Sequence, residues 1–288
     1  MRGAVSQPVS DVGELLSPCR LCARSCGVDR RQGEVGYCGV GARSRCFGEL
    51  VNFAEAPELV PSYTIFFAGC NLRCEFCVNL EWMTAPGGGE VLTAEHFRAQ
   101  IRLQAGYGAR SVNFWGGEPT CHLASIAEIL TGFDCPLPVV FNSNFYFTAA
   151  ARAPIASLTD IFLADFKFGN DGCALRLAQA QDYLAVVREN LLALAGRRAM
   201  IVRHLLLPGH FECCTVPVLD WLARELPDVR VSLPGSFVPR AVEVGMSRPA
   251  PPEGSPGSGT ELSRAVTAEE VARALAYARA KGFAVDQW

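Results

Sequence analysis

The chain has 288 residues, of which 50% are hydrophobic, so it is long enough to bury a large core without the help of disulfides. Its formal net charge of −3 provides no basic field to attract nucleic acid or an anionic membrane, and no run of about 18 apolar residues predicts a membrane span. Residues 1–6 lack the apolar core of a secretory signal, so we expect a cytoplasmic protein whose 13 cysteines stay reduced and available as metal ligands.

Residues 1–58 are predicted to form a cysteine-rich extension with a metal site of its own. The candidate ligands in this extension are Cys19, Cys22, Cys26 and Cys38. The two-residue gap between Cys19 and Cys22 is common to zinc and iron-sulfur loops, and the spacing leaves both metals open. Structural thiols without a metal are the alternative. Cys46 could substitute for one of the four ligands.

Three further cysteines follow a predicted strand. The apolar run from Tyr63 to Phe67 predicts a buried strand, and Gly69 lets the chain turn before Cys70, Cys74 and Cys77. Only a tightly curled loop could bring these three sulfurs onto one centre, because a fully extended chain would separate the outer two by roughly 23 to 25 Å. A cubane iron-sulfur cluster takes four thiolates, so three leave one iron open to another ligand.

A second motif stands one βα unit later. Residues 111–115 predict another strand, and Gly116, Gly117 and Glu118 follow it directly. Two glycines let the backbone approach a ligand closely, and Glu118 offers a carboxylate for an ammonium group. An ordinary strand-to-helix turn is the alternative, but the position of the motif after the cysteine loop favours a ligand site.

Strands and helices continue to alternate along the chain. The remaining strands are predicted at 138–141, 161–164, 199–207 and 229–233, and the clearest helix at 181–195. The alternation predicts an α/β fold with a parallel sheet, and six βα units suggest a partial (βα)6 barrel. Polar side chains stand at the carboxyl ends of these strands, where the loops of α/β barrels converge on the active site. These side chains are Asn142, Asn144, Asp165, Lys167 and Arg203.

The pattern Cys-x-x-x-Cys-x-x-Cys at residues 70–77 resembles the signature of radical S-adenosylmethionine (SAM) enzymes. The resemblance implies that Cys70, Cys74 and Cys77 bind a 4Fe-4S cluster and that SAM chelates its open iron. Reductive cleavage of SAM then gives a 5′-deoxyadenosyl radical, which abstracts hydrogen from a substrate C–H bond. Gly-Gly-Glu-Pro at 116–119 resembles the motif by which these enzymes hold the SAM amino group.

The same resemblance assigns roles to residues at the strand ends. It implies that Phe76 lies near the adenine and that Asn142 and Asn144 contact the ribose or methionine portion of SAM. Asp165 and Lys167 match an Asp-x-Lys pair near the SAM carboxylate, and Arg203 would face the same pocket. The implied electron donor is a flavodoxin or a ferredoxin, because reduction of such a cluster needs a low potential.

The leader cysteines resemble those of a branch similar to pyruvate formate-lyase activating enzyme. Three departures count against glycyl-radical activation. Cys121 stands where this branch usually has proline, Val78 stands where glutamine is commoner, and 233–239 lacks the histidine expected near SAM. The activase proper is therefore an alternative, and a protein, peptide or small-molecule substrate remains open. A non-enzymatic iron-sulfur electron carrier or scaffold is the alternative from another class, but it would have no use for the strand-end motifs.

The predicted barrel, residues 59–245, is followed by a proline- and glycine-rich linker at 246–266 and a helix with a short tail at 267–288. A capping box from Thr267 to Glu270 opens that helix.

Within the barrel, His204 is interpreted as a core histidine. The adjacent Cys213 and Cys214 could donate hydrogen, ligate a metal or pack at a helix start, and packing is favoured.

Overall fold

A single sheet forms the centre of the molecule. The computed structural model describes residues 10–84, 87–237, 239 and 260–286. The strands are β1 Arg45–Asn52, β2 Ser62–Phe67, β3 Glu90–Val91, β4 Ser111–Gly116, β5 Val139–Ser143, β6 Ile161–Asp165, β7 Ala199–Arg203, β8 Arg230–Ser232 and β9 Val285–Asp286. The described residues form one nine-stranded sheet in the order β3-β1-β2-β4-β5-β6-β7-β8-β9.

The strand directions confirm the predicted α/β architecture. From β2 through β4, β5, β6, β7, β8 and β9, each neighbouring pair is parallel. The six predicted strands correspond to β2 and β4 to β8. The structure adds β9 at one edge of the sheet and two strands at the other. These are the edge strand β3 and, inside it, β1, which pairs antiparallel with both β2 and β3. The carboxyl ends of the parallel strands therefore lie together at one end of the sheet.

Helix α1, Ser10–Glu14, precedes the first strand, and the other helices connect the parallel strands. They are α2 Leu80–Thr84, α3 Ala94–Gly106, α4 Leu123–Leu130, α5 Ala149–Leu158, α6 Asp171–Ala178, α7 Tyr183–Leu194, α8 Val216–Glu225 and α9 Ala268–Ala280. A turn of π-helix, Phe211–Thr215, precedes α8. Among the helices that the structure describes, none combines the length and apolar character needed to cross a membrane.

Alternate side chains of β5, β6 and β7 belong to different hydrophobic clusters, because successive residues of a strand point to opposite faces. Phe141, Phe162 and Val202 pack in the main core with the helices. The opposite cluster consists of Val140, Leu163 and Ile201 together with Ala56 and Leu59. The segment between β1 and β2 therefore covers the second face of the sheet.

The predicted extension folds onto the barrel. Val12, Leu15, Leu16 and Leu21 are buried and belong to the main core. Strand β1 joins the barrel sheet directly through its pairing with β2. The extension and the barrel therefore share one hydrophobic core.

Helix α9 begins at the predicted capping box. Thr267 Oγ1 accepts from the N–H of Glu270 at 3.1 Å, and Glu270 Oε2 accepts from the N–H of Thr267 at 2.9 Å. Glu270 Oε1 also accepts from the N–H of Gly209 at 3.0 Å, which ties the start of the helix to the loop after β7. Residues 246–259 of the predicted linker lie outside the described residues.

Candidate active site at the carboxyl ends of the strands

The cluster loop, residues 68–79, joins β2 to α2. The N–H groups of Arg73 and Glu75 donate to the carbonyl oxygens of Ala178 and Leu177 at 3.1 and 2.8 Å. The loop is therefore curled against the carboxyl end of α6. A curled loop is what the spacing of its three cysteines requires.

The three thiols of the cluster loop influence one another. Burial is the largest cause that raises the pKa of Cys70 well above its ordinary value, and the charges of Glu118, Cys74 and Cys77 raise it further. Burial also raises the pKa of Cys74, to about 12, although the Lys167 ammonium acts to lower it. A thiol with a raised pKa stays protonated until a metal binds its sulfur and displaces the proton. Three thiolates bind three irons of a 4Fe-4S cluster and leave the fourth iron open. This donor set fits a 4Fe-4S cluster.

Gly116 and Gly117 bring the end of β4 against the end of β2. Gly116 has a φ of 105°, and a Cβ there would lie 2.2 Å from the backbone nitrogen of Phe67. A Cβ on Gly117 would lie 1.7 Å from the carbonyl oxygen of Gly69. The N–H of Gly117 donates to Phe67 O at 2.8 Å, and that of Glu118 donates to Gly69 O at 3.1 Å. Both positions need glycine, because a side chain would separate the turn from β2 at Gly116 and from the cluster loop at Gly117.

The carboxylate of Glu118 is buried and engaged within the protein. Oε1 accepts from the hydroxyls of Thr120 at 2.6 Å and Ser143 at 2.7 Å, and Oε2 accepts from the N–H of Asn144 at 2.9 Å. Burial raises the pKa of Glu118, and these hydrogen bonds partly offset that effect. Glu118 thus connects the turn after β4 to the end of β5. Its binding of an ammonium group stays a prediction.

Asn144 connects the end of β5 to the cluster loop. Its Nδ2 donates to Asn71 Oδ1 at 2.8 Å and lies 3.9 Å from the sulfur of Cys70. Asn71 in turn donates to the carbonyl oxygen of Tyr146 at 2.8 Å. The predicted asparagine therefore lies beside the predicted cluster ligand.

Arg203, at the end of β7, is the centre of a buried charge network. Its Nε donates to Asp165 Oδ1 at 2.6 Å, and its Nη1 lies 3.2 Å from both carboxylate oxygens of Glu55. Its Nη2 donates to Asn142 Oδ1 at 2.8 Å. Lys167 Nζ donates to Asp165 Oδ2 at 2.5 Å. The structure thus brings four of the predicted strand-end residues into contact and adds Glu55.

The two carboxylates of this network differ in charge environment. Burial acts to raise the pKa of Asp165, but Arg203 and Lys167 together outweigh it and hold that pKa at about 2. Burial raises the pKa of Glu55, and the charge of Asp165 raises it further, while Arg203 is the cationic partner that lowers it among the described residues. Asp165 is therefore the firmly ionised member, and it fixes the position of the Lys167 ammonium.

Sequence reasoning assigned no role to Glu55. This residue lies in the segment that covers the second face of the sheet and reaches Arg203 from there. No local motif distinguishes it, because its partners come from β5 and β7.

Phe76 is predicted to lie near the adenine of SAM. The centroid of its ring lies 6.1 Å from that of Phe168 and 6.5 Å from that of Phe237, and both contacts are edge-on.

The cysteines of the extension separate into two groups. The thiols of Cys22 and Cys38 each interact with that of Cys121, which follows the turn after β4. The interaction with Cys121 is the largest cause that lowers the pKa of Cys38 to about 6. Cys19 lies close enough to Cys26 for that charge to raise its pKa, with burial as the larger cause. Cys121 is thus a third thiol beside two leader cysteines, whereas a metal site of all four leader cysteines stays a prediction.

Tyr37 joins the extension to the cluster loop. Its ring lies between two guanidinium groups, 4.0 Å from Arg24 and 4.3 Å from Arg73. Arg24 donates from Nε to Asn71 O at 2.9 Å, and Arg73 donates from Nη1 to Cys70 O at 2.6 Å. Arg73 also bonds to the carbonyl oxygen of Tyr37. The leader is therefore bound to the loop that carries the predicted cluster ligands.

Comparison with known proteins identifies the family. Residues 64–149, which contain the cluster loop and the turn after β4, match the model of the radical SAM superfamily. The chain belongs to this superfamily. The uncharacterized protein MJ0674 of Methanocaldococcus jannaschii is 32% identical over 267 residues, which cover 91% of this chain and 74% of that protein. A GTP 3′,8-cyclase of Chlorobaculum tepidum is 36% identical over 72 residues, which cover 23% of this chain and 21% of that enzyme.

Solved structures share the fold at low sequence identity. SuiB of Streptococcus suis bound to the precursor peptide SuiA is 12% identical with a TM-score of 0.52, covering 76% of this chain and 46% of SuiB. SuiB bound to SAM gives a TM-score of 0.51 over 76% of this chain and 48% of SuiB. The chain thus spans about half the length of SuiB, and at this identity the likeness shows the fold alone.

Proposed function

We propose that the chain is a radical SAM enzyme that abstracts hydrogen from a C–H bond of its substrate. The observation that carries the proposal is the cluster loop, in which Cys70, Cys74 and Cys77 lie within range of one another's charges. SAM would bind the iron that three thiolates leave open. Bound there and given one electron, SAM supplies a 5′-deoxyadenosyl radical and methionine.

The strand-end residues are proposed to hold SAM in position. The Lys167 ammonium has three N–H donors, and its bond to Asp165 uses one of them, so it can also donate to the SAM carboxylate. Arg203 faces the same pocket and orients Lys167 through Asp165, because both cations bond to that carboxylate. A lysine fixed by a charge-assisted bond loses less conformational freedom when SAM binds.

The remaining contacts with SAM are proposed from the turn after β4 and from the side chains around the cluster loop. The turn at Gly116, Gly117 and Glu118 would hold the amino group, for which Glu118 offers its carboxylate. The amides of Asn142 and Asn144 would bind the ribose or the methionine portion. Phe76 offers an aromatic surface for the adenine.

The extension, residues 1–58, is proposed to bind a second metal, either zinc or an iron-sulfur cluster. The interactions of the Cys22 and Cys38 thiols with the Cys121 thiol support these three thiols as ligands. A flavodoxin or ferredoxin would supply the electron for the cluster at Cys70, Cys74 and Cys77, since such donors reach the required potential.

The substrate is proposed to be a peptide, a protein or a small molecule. SuiB, which shares the fold, is bound to a precursor peptide in one structure, and this motivates testing peptides first. Membership in the branch of pyruvate formate-lyase activating enzyme is part of the proposal, and activation of a glycyl-radical enzyme is the alternative substrate role.

The test is the formation of 5′-deoxyadenosine. The protein is reconstituted anaerobically with iron and sulfide, reduced, and mixed with SAM; a variant with Cys70, Cys74 and Cys77 changed to alanine serves as the negative comparison. Cys135→Ala is the matched control, because Cys135 precedes β5 and so lies at the end of the sheet opposite the cluster loop. The expected result is product from the wild type and from the control only. A loaded, reducible cluster that yields no product would favour the electron carrier.

A further inference from the structure

A second group of metal-ligand side chains lies apart from the cluster loop. We call it the Cys/His cluster: Cys173, His210, Cys213 and Cys214. Their four ligand atoms all lie within 4.8 Å of one another. Cys173, at the start of α6, and His210, after β7, are far apart in sequence, so only the fold brings them together.

The distances agree with tetrahedral coordination of one ion. His210 Nδ1 lies 3.3, 3.6 and 3.7 Å from the sulfurs of Cys213, Cys214 and Cys173, respectively. The sulfur of Cys213 lies 3.9 Å from that of Cys214 and 4.0 Å from that of Cys173. A tetrahedral zinc ion, with Zn–S of about 2.3 Å and Zn–N of about 2.0 Å, separates two sulfurs by about 3.8 Å and sulfur from nitrogen by about 3.5 Å.

The backbone around the cluster is shaped to bring these donors together. His210 O accepts from the N–H of Thr215 at 3.2 Å, which makes the turn a π-helix. A π turn rotates successive side chains by less than an α-helix does, so two adjacent cysteines can approach one centre. Gly169 permits the contact between the two segments, because a Cβ there would lie 2.5 Å from the carbonyl oxygen of Cys214.

Asn170 supports the cluster as an outer partner. Its Oδ1 accepts from the N–H of Cys173 at 2.7 Å and caps α6. Its Nδ2 donates to the carbonyl oxygen of Cys213 at 2.8 Å and lies 3.2 Å from the sulfur of Cys173. N–H groups directed at ligand sulfurs fix the ligands and stabilise thiolate charge, as is typical around metal sites.

We propose that the Cys/His cluster is a structural zinc site. Three thiolates and one neutral imidazole, all from the protein, complete a tetrahedral set of four ligands of the kind that closed zinc sites use. Binding releases the three thiol protons and involves no change of oxidation state. A multinuclear iron-sulfur cluster does not fit, because its protein ligands are shared among two or more irons and ligands on different irons stand farther apart than these four atoms do.

The site would determine where α6 begins. Zinc would fasten Cys173, in the first turn of α6, to the π turn before α8. At its other end α6 presents the carbonyl oxygens of Leu177 and Ala178 to the cluster loop. The zinc site therefore holds one side of the loop that contains Cys70, Cys74 and Cys77, yet its existence does not depend on the proposed radical chemistry.

The first test measures zinc per chain in the purified full-length protein and in matched variants. His210→Ala should lose one zinc ion per chain relative to the wild type. His210→Cys should retain it, because a set of four thiolates also binds zinc. Cys135→Ala is the control and should match the wild type. Equal zinc in the wild type and His210→Ala, or equal loss from His210→Ala and His210→Cys, would overturn the proposal.

A second test uses the wild type alone, in case His210→Ala does not fold. Thiols are alkylated before and after treatment with a zinc chelator, and the modified positions are mapped by mass spectrometry. Cys213 is the most exposed ligand, so burial would not protect it in a metal-free protein. We expect Cys213 to resist alkylation until zinc is removed. Immediate alkylation, isolation of Cys173 and Cys213 as a disulfide, or iron in place of zinc would refute the assignment.

Discussion

The carbonyl oxygen of Gly69 occupies the space in which a side chain of Gly117 would begin, 1.7 Å from an ideal Cβ. The turn after β4 and the cluster loop are therefore in direct backbone contact, and the N–H of Glu118 donates to the same carbonyl oxygen. The two motifs that identify the family in the sequence are thus parts of one rigid unit.

Gly117→Ala should separate these two motifs. We expect destabilisation of about 1–3 kcal/mol from overpacking, together with at least a tenfold fall in 5′-deoxyadenosine formation. Gly106→Ala is the control, because a Cβ at the end of α3 meets nothing within 4 Å; that variant should keep full activity. Urea unfolding and product quantification check both. Wild-type activity in Gly117→Ala would show that the contact can relax at no cost.

Arg203→Gln should be strongly destabilising. The change removes the cation that neutralises Glu55 and shares Asp165 with Lys167, and uncompensated buried charge costs about 3–5 kcal/mol. Arg203→Lys should cost less, since it keeps the charge but loses the forked hydrogen bonds. Arg224→Gln provides the comparison, because its pair with Glu225 is exposed and contributes little. Urea unfolding of all three measures the difference; equal stability of Arg203→Gln and Arg224→Gln would contradict it.

The free energy of unfolding should decrease at acid pH because of His204. This histidine is buried; its Nδ1 donates to Phe166 O at 2.7 Å and its Nε2 accepts from Thr215 at 3.1 Å. Burial lowers its pKa from 6.5 to about 4, so the unfolded chain takes up the proton first. The stabilisation is present above pH 6.5 and is lost as the pH falls towards 4, with about 1 kcal/mol gone near pH 5.5.

The pH dependence is checked by comparing unfolding free energies near neutrality and near pH 5.5. His204→Gln should lack the part of the acid loss that His204 causes. His96→Gln, at an exposed histidine beside Glu49, is measured alongside for comparison. If His204→Gln and the wild type lose the same free energy of unfolding between the two pH values, protonation of His204 is not a cause of the acid loss.

If the extension binds the proposed metal, Cys121→Ala should remove it as effectively as Cys22→Ala or Cys38→Ala does. The reason is that the thiol of Cys121 interacts with both of these thiols. Cys46→Ala should retain the metal, because Cys46 lies in β1, paired with Phe67. Metal content per chain is the measurement, and the loss should add to that of His210→Ala. If Cys121→Ala keeps the metal and Cys19→Ala loses it, the ligands are the four leader cysteines and Cys121 is not one of them.

The sequence predicts the parts of this molecule that depend on local pattern. Hydrophobic runs followed by polar residues indicated the six parallel strands, and the spacing from Cys70 to Cys77 indicated a curled loop. Both features follow from constraints within a few residues, namely the alternation of strand side chains and the reach of a short loop. The contact of Asp165 with Arg203 was also accessible, because parallel strands end at the same edge of the sheet.

Other features depend on contacts between distant segments, which no local pattern contains. Glu55 reaches Arg203 only because its segment crosses the second face of the sheet. Cys173 gave no signal, and it meets Cys213 and Cys214 only after α6 and the π turn have packed together. Packing was therefore the favoured interpretation of the adjacent cysteines, although ligation of a metal was among the alternatives.

The stacking of Tyr37 between Arg24 and Arg73 has a consequence for assembly. Each guanidinium also bonds to a carbonyl oxygen of the cluster loop, so these contacts exist only where the leader and the loop are both ordered. Metal binding in such a segment contributes directly to its folding free energy. If both proposed centres bind metal, their loading should therefore be cooperative, and oxidative damage to one centre would loosen the other.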